Sequence, residues 1–410
     1  EGPEGDVVDV VGWRLDDVVE LIRGPGDTVV RLQILPAGAL PGSETRELPL
    51  TRGKVTLENQ AAKREMIELE RPEGNVKLGV IKVPSFYQNY QARAQGDPDY
   101  ASVTRDVRKH LEAMKEEGID GVIMDLRNNG GGQLSEAIGL TGLFIDKGPV
   151  VQLKEHNGAV RVYRDNDKGT VYDGPVVVLV NRYSASASEI FAAAIQDYGR
   201  GIVIGQTTFG KGSVQNIYPL DRRNRGDDLR YGQLHLTMGK YYRVTGGSTQ
   251  HRGVVPDIVL PSAIDASEVG ESARDTALPW DTIDATGFRA QMSGVDLTTL
   301  TALHERRTQK DPEHRFYLEE IALTREIREK DYVSLNMDER KQERKSMEQR
   351  RLDNANAWRA ARGLDAVEKL EDLEDEDQPD ILLNETAEIL ADAVRGPLMT
   401  DVVPEPAIVN

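Results

Sequence analysis

Chemistry in this sequence concentrates in two short stretches. SASASE, residues 184–189, sets three serines at alternate positions between the apolar run VVVLV and the helix-forming EIFAAAIQDYG. GQTTFGKGS, residues 205–213, begins within the strand-like GIVIGQ and holds Lys211 between two glycines, 25 positions after Ser186. A serine at a helix N-terminus can attack a carbonyl. Its own and the next residue's N–H groups, with the helix dipole, then hold the oxyanion. Serine is also a common helix cap, and the pattern alone does not say which of the three attacks. The attack needs a base. A lysine serves only when neutral, which takes a depression of about three units from its ordinary value near 10.4, costing roughly 4 kcal/mol. Burial beside apolar neighbours such as Phe209 and Val214 is one way to do it. Ser–Lys pairing is an established variant of the catalytic triad.

GQTTFGKGS also comes within one residue of a phosphate-binding loop. That loop must lead into a helix and carry Ser or Thr after the lysine. Here Gly212 follows, and then SVQNIYPL, an extended stretch poor in helix formers. Two requirements fail together, so the lysine is read as a base on a strand and not as a phosphate ligand. A third turn, Asn128-Asn129-Gly130-Gly131-Gly132, follows the apolar run IDGVIMDLR. Its glycines allow close backbone approach and outward-turned N–H groups, or simply a tight strand-to-helix turn. All three turns sit at carboxyl ends of apolar strands, the edge where open α/β sheets build sites.

Stepping outward from these turns, the surrounding elements read as βαβ. KLGVIKVPSFY, IDGVIMDLR, GPVVVLVNRY and GIVIGQ are strands of the buried, parallel type. DYASVTRDVRKHLEAMKEEG, with Asp99 or Ser102 as cap, and QLSEAIGLTGLFI are helices. Residues 54–285 therefore form an α/β core. Residues 1–53 hold one amphipathic helix, Leu15 to Arg23, and two strands, TVVRLQIL and TRELPLTRG, too little to bury a core alone. Residues 286–410 are helical and heavily charged, the pattern of a solvated appendage or of helices packed on the main domain or a partner. The acidic run EDLEDEDQPD reads as a connector, since it lacks the ligand spacing and turn glycine of a calcium loop.

The 410 residues carry a net charge of −18, which disfavours nucleic acid as a partner. No apolar run reaches the length of a membrane span. There is no cysteine, which excludes a thiol nucleophile, thiolate-bound zinc and disulfides. The six histidines, at 110, 156, 235, 251, 304 and 314, show no metal-ligand spacing, and no metal is expected. The sequence opens at Glu1 without a signal peptide, as a mature form or a fragment would.

Taken together, NRYSASASEIFAAAIQDYGR, GQTTFGKGSVQ, DLRNNGGG and YYRVTGGSTQHRGVVPDI resemble the carboxyl-terminal processing proteases, the S41-type serine peptidases. The likeness extends through ALPWDTID and the charged helical tail, and is strongest to the tail-specific branch of Gram-negative bacteria. The resemblance implies a crotonase-like ββα protease core, with the latter half of a PDZ domain before it and a helical C-terminal region after it. No carboxylate-binding loop or first PDZ strands are visible in residues 1–53. It implies Ser186 as nucleophile, Lys211 as general base and Gln215, on the same strand face, as the residue orienting the lysine. It further implies an oxyanion hole from the N–H of Ala187 and that of Gly131 or Gly132, with Glu189, Asp197 and Thr208 in support. No cofactor is implied. The expected substrates are periplasmic proteins with apolar C-terminal tails. A tetratricopeptide-repeat lipoprotein adaptor and peripheral inner-membrane association are expected partners. A PDZ-bearing binding scaffold with little proteolysis, or a crotonase-like acyl-CoA enzyme, are the alternatives.

Overall fold

The computed structural model describes residues 7–13, 15–35, 45–53, 61–220, 232–290, 296–330, 332–373, 380–395 and 408–409. Two compact units divide the chain, Glu1–Gln60 and Ala61–Asn410. The first contains α1 (Leu15–Ile22) and the antiparallel pair β1 (Val29–Ile34) and β2 (Arg46–Thr51). Arg52 ties them together. Its Nε donates to Ile22 O at 2.7 Å, satisfying a carbonyl at the helix end.

The second unit is organised by a six-stranded sheet. Its strands are β3 (Lys63–Leu69), β4 (Val76–Lys82), β5 (Gly121–Asp125), β8 (Val176–Val180), β9 (Ile202–Gly205) and β12 (Ile258–Val259). They lie in the order β12-β9-β8-β5-β4-β3, parallel throughout except for the β3–β4 pair. The intervening β6 (Gly148–Glu155) and β7 (Val160–Asp165) join β10 (Ser213–Pro219) and β11 (Gln233–Tyr242) in an antiparallel sheet of order β10-β11-β6-β7.

The continuous apolar runs of β5 and β8 are explained by burial on both faces. Val122, Met124, Val178 and Val180 face one core. It is shared with α3 (Val103–Glu116), α4 (Leu134–Gly142) and α5 (Ala187–Asp197), which follow the short α2 (Tyr90–Ala94). Ser102 is the cap of α3, its Oγ accepting the Arg105 N–H at 3.4 Å. Ile123, Val177, Leu179, Ile202 and Ile204 face a second core.

That second core spans residue 286. It is closed by α9 (Ile381–Arg395) and by Leu300 of α6 (Leu297–Thr308), so sheet and C-terminal helices belong to one compact unit. Only part of the tail is solvated. α8 (Met337–Ala361) buries just Ala355 and Trp358, while α7 (Pro312–Arg328) is intermediate. The charge of α8 dominates the composition and masks the apolar spacing of ILLNETAEILADAV in α9. The acidic run between them falls mostly outside the described residues. Leu390 is fully packed, with Gly121 of β5 lying directly beneath it. Leu390→Ala should therefore destabilise the second unit by about 3 kcal/mol, read as a lowered urea midpoint at unchanged slope.

Candidate active site

The serine turn leaves β8 and enters α5 through an unusual backbone. Ser186, the N-cap of α5, has φ 57° and ψ −111°, a conformation that non-glycine residues rarely hold. Strain of this kind persists where surrounding bonds over-determine it. Here those bonds also separate the three serines. The Ser184 hydroxyl donates to Leu126 O at 2.8 Å and the Ser188 hydroxyl to Asn129 O at 2.8 Å, and both residues are fully buried. Ser186 alone donates its hydroxyl to no acceptor among the described residues. Two carbonyls from a distant turn thus distinguish the three serines that the pattern left equivalent.

The anchor of the turn is Glu189, one turn into α5 and fully buried. Its Oε2 accepts the main-chain N–H of Ser186 at 2.8 Å and that of Lys211 at 2.9 Å. Its Oε1 accepts the Thr208 hydroxyl at 2.6 Å and the Gly210 N–H at 2.7 Å. One carboxylate thus holds the serine turn and the lysine loop together. Burial pushes Glu189 up to about 7, with these four hydrogen bonds pulling the other way. It meets the main chain of Lys211 and not its amine. Thr208 Oγ1 also accepts the Val254 N–H at 2.7 Å, fixing its orientation.

The glycine turn packs on top. Asn129, fully buried, donates from Nδ2 to Val83 O at 2.8 Å, and its carbonyl takes the Ala185 N–H at 2.9 Å. Gly131, at φ 102°, lies so close that a Cβ there would sit 2.8 Å from the Ser186 Cβ. No side chain fits between the two turns. The Gly131 N–H is committed to Asn129 Oδ1 at 2.9 Å, which removes it as an oxyanion donor. The N–H groups of Gly132 and Ala187 have no acceptor among the described residues and remain available.

One expected contact, between Gln215 and Lys211, is not formed. β10 begins at Ser213, so Lys211 lies outside its pleat and the alternation that would align it with Gln215 does not run through. Gln215 is exposed and makes no hydrogen bond to Lys211 among the described residues. Asp197 ends α5, about 16 Å along the helix from Ser186 at 1.5 Å per residue. It pairs with Arg243 Nη2 at 2.5 Å, and burial, partly offset by that guanidinium, raises its carboxyl. Asp197 therefore ties α5 to the end of β11 and does not touch the serine or the lysine. After Lys211 the chain enters a strand and not a helix, so no phosphate cradle is built.

The sequence profile of peptidase family S41 matches residues 77–260, which contain all three turns. The profile described as the C-terminal domain of tail specific protease matches residues 264–395. The tail-specific protease of Haemophilus influenzae is 43% identical over 95% of this chain and 54% of its own length. The chain belongs to peptidase family S41. Two other family members, the chloroplastic C-terminal processing peptidase of Tetradesmus obliquus and the carboxyl-terminal-processing protease of Synechocystis, are 31% and 32% identical. Each match covers 62% of this chain, and 52% and 53% of the relative. The chain spans about half the length of these S41 relatives.

Asn129, Arg182 and Gln250 were not singled out from sequence. Each acts through main-chain bonds to residues far along the chain, a signal that spacing does not carry. Arg182 donates from Nη1 to Thr208 O at 2.6 Å, and burial lowers its guanidinium.

Proposed function

We propose that this S41 protein is a C-terminal processing serine endopeptidase. Ser186 Oγ attacks the scissile carbonyl carbon and Lys211 Nζ takes the hydroxyl proton. The Gly132 and Ala187 N–H groups receive the carbonyl oxygen as it becomes an oxyanion. The lysine passes its proton to the leaving amine, and the C–N bond breaks to leave an acyl ester on Ser186. A water, deprotonated by the same lysine, then attacks the ester and restores the free serine. The observation that carries this reading is the Glu189 carboxylate, which holds the Ser186 and Lys211 main chains on a single oxygen.

The proposed substrates are periplasmic proteins with apolar C-terminal tails, the PDZ-like residues 1–53 taking part in tail capture. A tetratricopeptide-repeat lipoprotein adaptor and peripheral inner-membrane association complete the proposal. Rapid acid quenching of a reaction with a peptide ester bearing an apolar tail tests the chemistry. Mass spectrometry of the segment spanning residues 184–189 should find the acyl group on Ser186. Acylation of Ser184 or Ser188, or none at all, rejects the assignment.

A further inference from the structure

The lysine loop is held from behind by residues that the proposed chemistry does not use. Gln250 is 0% exposed. Its Oε1 accepts the Gly212 N–H at 2.9 Å, and its Nε2 donates to Glu271 Oε1 at 3.2 Å and to Leu278 O at 3.1 Å. The two chains touch, since a Cβ on Gly212 would lie 2.5 Å from Gln250 N. Glu271 in turn donates its N–H to Phe209 O at 2.9 Å.

Arg182, in the turn leading to Ser186, reaches the same segment. Its Nε donates to Val269 O at 2.6 Å, and its Nη2 to Ala266 O at 3.1 Å and Ser272 Oγ at 3.0 Å. Residues 266–278 therefore form a strap behind both the serine turn and the lysine loop. They lie in the part of the chain matched by the tail-specific C-terminal domain.

The Lys211 side chain has no hydrogen bond or ion pair among the described residues, so the polar bonds that bear on it are those of its main chain, which set where the side chain leaves the backbone. Each peptide unit is planar, so fixing the two units that flank a Cα fixes φ and ψ there and hence the Cα–Cβ direction. Glu189 Oε2 fixes the unit before Lys211 through the Lys211 N–H. Gln250 Oε1 fixes the unit after it through the Gly212 N–H. Resting on the Ser–Lys reading above, we infer that Gln250 is a positioning residue that aims Lys211 at Ser186, with Glu271 of the strap holding the amide in place.

Gln250→Met keeps the volume and removes all three side-chain bonds. It should lower kcat for an apolar-tailed peptide by about a hundredfold with KM changed by less than about twofold, since a small misplacement of a reacting group costs that much. Amide exchange at Gly212 should become fast. The swapped pair, Gln250→Glu with Glu271→Gln, keeps an acceptor for Gly212 and a donor between the two side chains. It should restore most of kcat and the slow exchange. Wild-type kcat in Gln250→Met, or a swapped pair as slow as Gln250→Met, overturns the inference. If Gln250→Met does not fold, the swapped pair decides. A kcat within a few-fold of wild type supports the role, and a hundredfold loss at constant KM overturns it. Lys211→Ala is the control. Activity surviving there rejects the Ser–Lys reading itself, whereas a dead Lys211→Ala beside a fully active Gln250→Met rejects only the positioning role.

Discussion

Ser186→Ala and Lys211→Ala should each lose at least about a thousandfold in kcat/KM on an apolar-tailed peptide, and the double variant should lose little more. Residues that act as one unit are not additive, because once either is gone the other has nothing to do. The loss should fall on kcat and leave KM nearly unchanged, since neither side chain is needed to hold the rest of the peptide. Ser186→Ala keeps its Cβ and the same strained φ of 57°, so its melting temperature should match wild type within a degree or two. Lys211→Arg should be as inactive as Lys211→Ala, because a guanidinium does not give up its proton. A thousandfold loss accompanied by a collapsed melting transition would point to misfolding. Wild-type turnover in any of these variants would exclude the dyad.

Glu189→Gln should produce the second largest effect, with a signature of its own. The carboxylate accepts four hydrogen bonds, from Ser186 N–H, Lys211 N–H, Gly210 N–H and the Thr208 hydroxyl. An amide offers one acceptor oxygen and sets an NH₂ against donors on the other side. Two buried donors lose their partner, which costs about 3 kcal/mol in stability. It also lets the serine turn and lysine loop separate, so kcat should fall by about a hundredfold or more.

A pH comparison isolates the same group. In the folded protein Glu189 titrates at about 7, above its unfolded value of 4.5. Between those values the folded state holds a proton that the unfolded state has released, so the stability contributed by Glu189 falls as pH rises through that window and is level above it. The difference in unfolding free energy between wild type and Glu189→Gln should therefore shrink from pH 4.5 to 7 and then stay constant. A difference that does not change with pH would show that the burial of Glu189 does not raise its pKa.

Much of the scaffold was legible in the sequence because it depends on local apolar patterning. β5, β8 and β9 stand out as unbroken apolar runs, and the failure of the phosphate loop is visible in the residues after Lys211. What separates the three serines was not legible from pattern, because the carbonyls that take the Ser184 and Ser188 hydroxyls, Leu126 O and Asn129 O, belong to a turn more than fifty residues away. The alternation that would align Gln215 with Lys211 reaches two residues before the start of β10, and spacing alone does not mark where a pleat begins. The role of α9 was hidden for a compositional reason, its apolar face lying behind a much longer charged helix.

The position of α9 in the chain has a consequence for timing. The sheet that carries all three turns has one oily face bare until residues 381–395 arrive to cover it. A chain made or exported N-terminus first exposes SASASE and the lysine loop long before that cover exists. The apolar face beneath the serine, lysine and glycine turns is therefore closed only when almost the whole of this sequence has emerged.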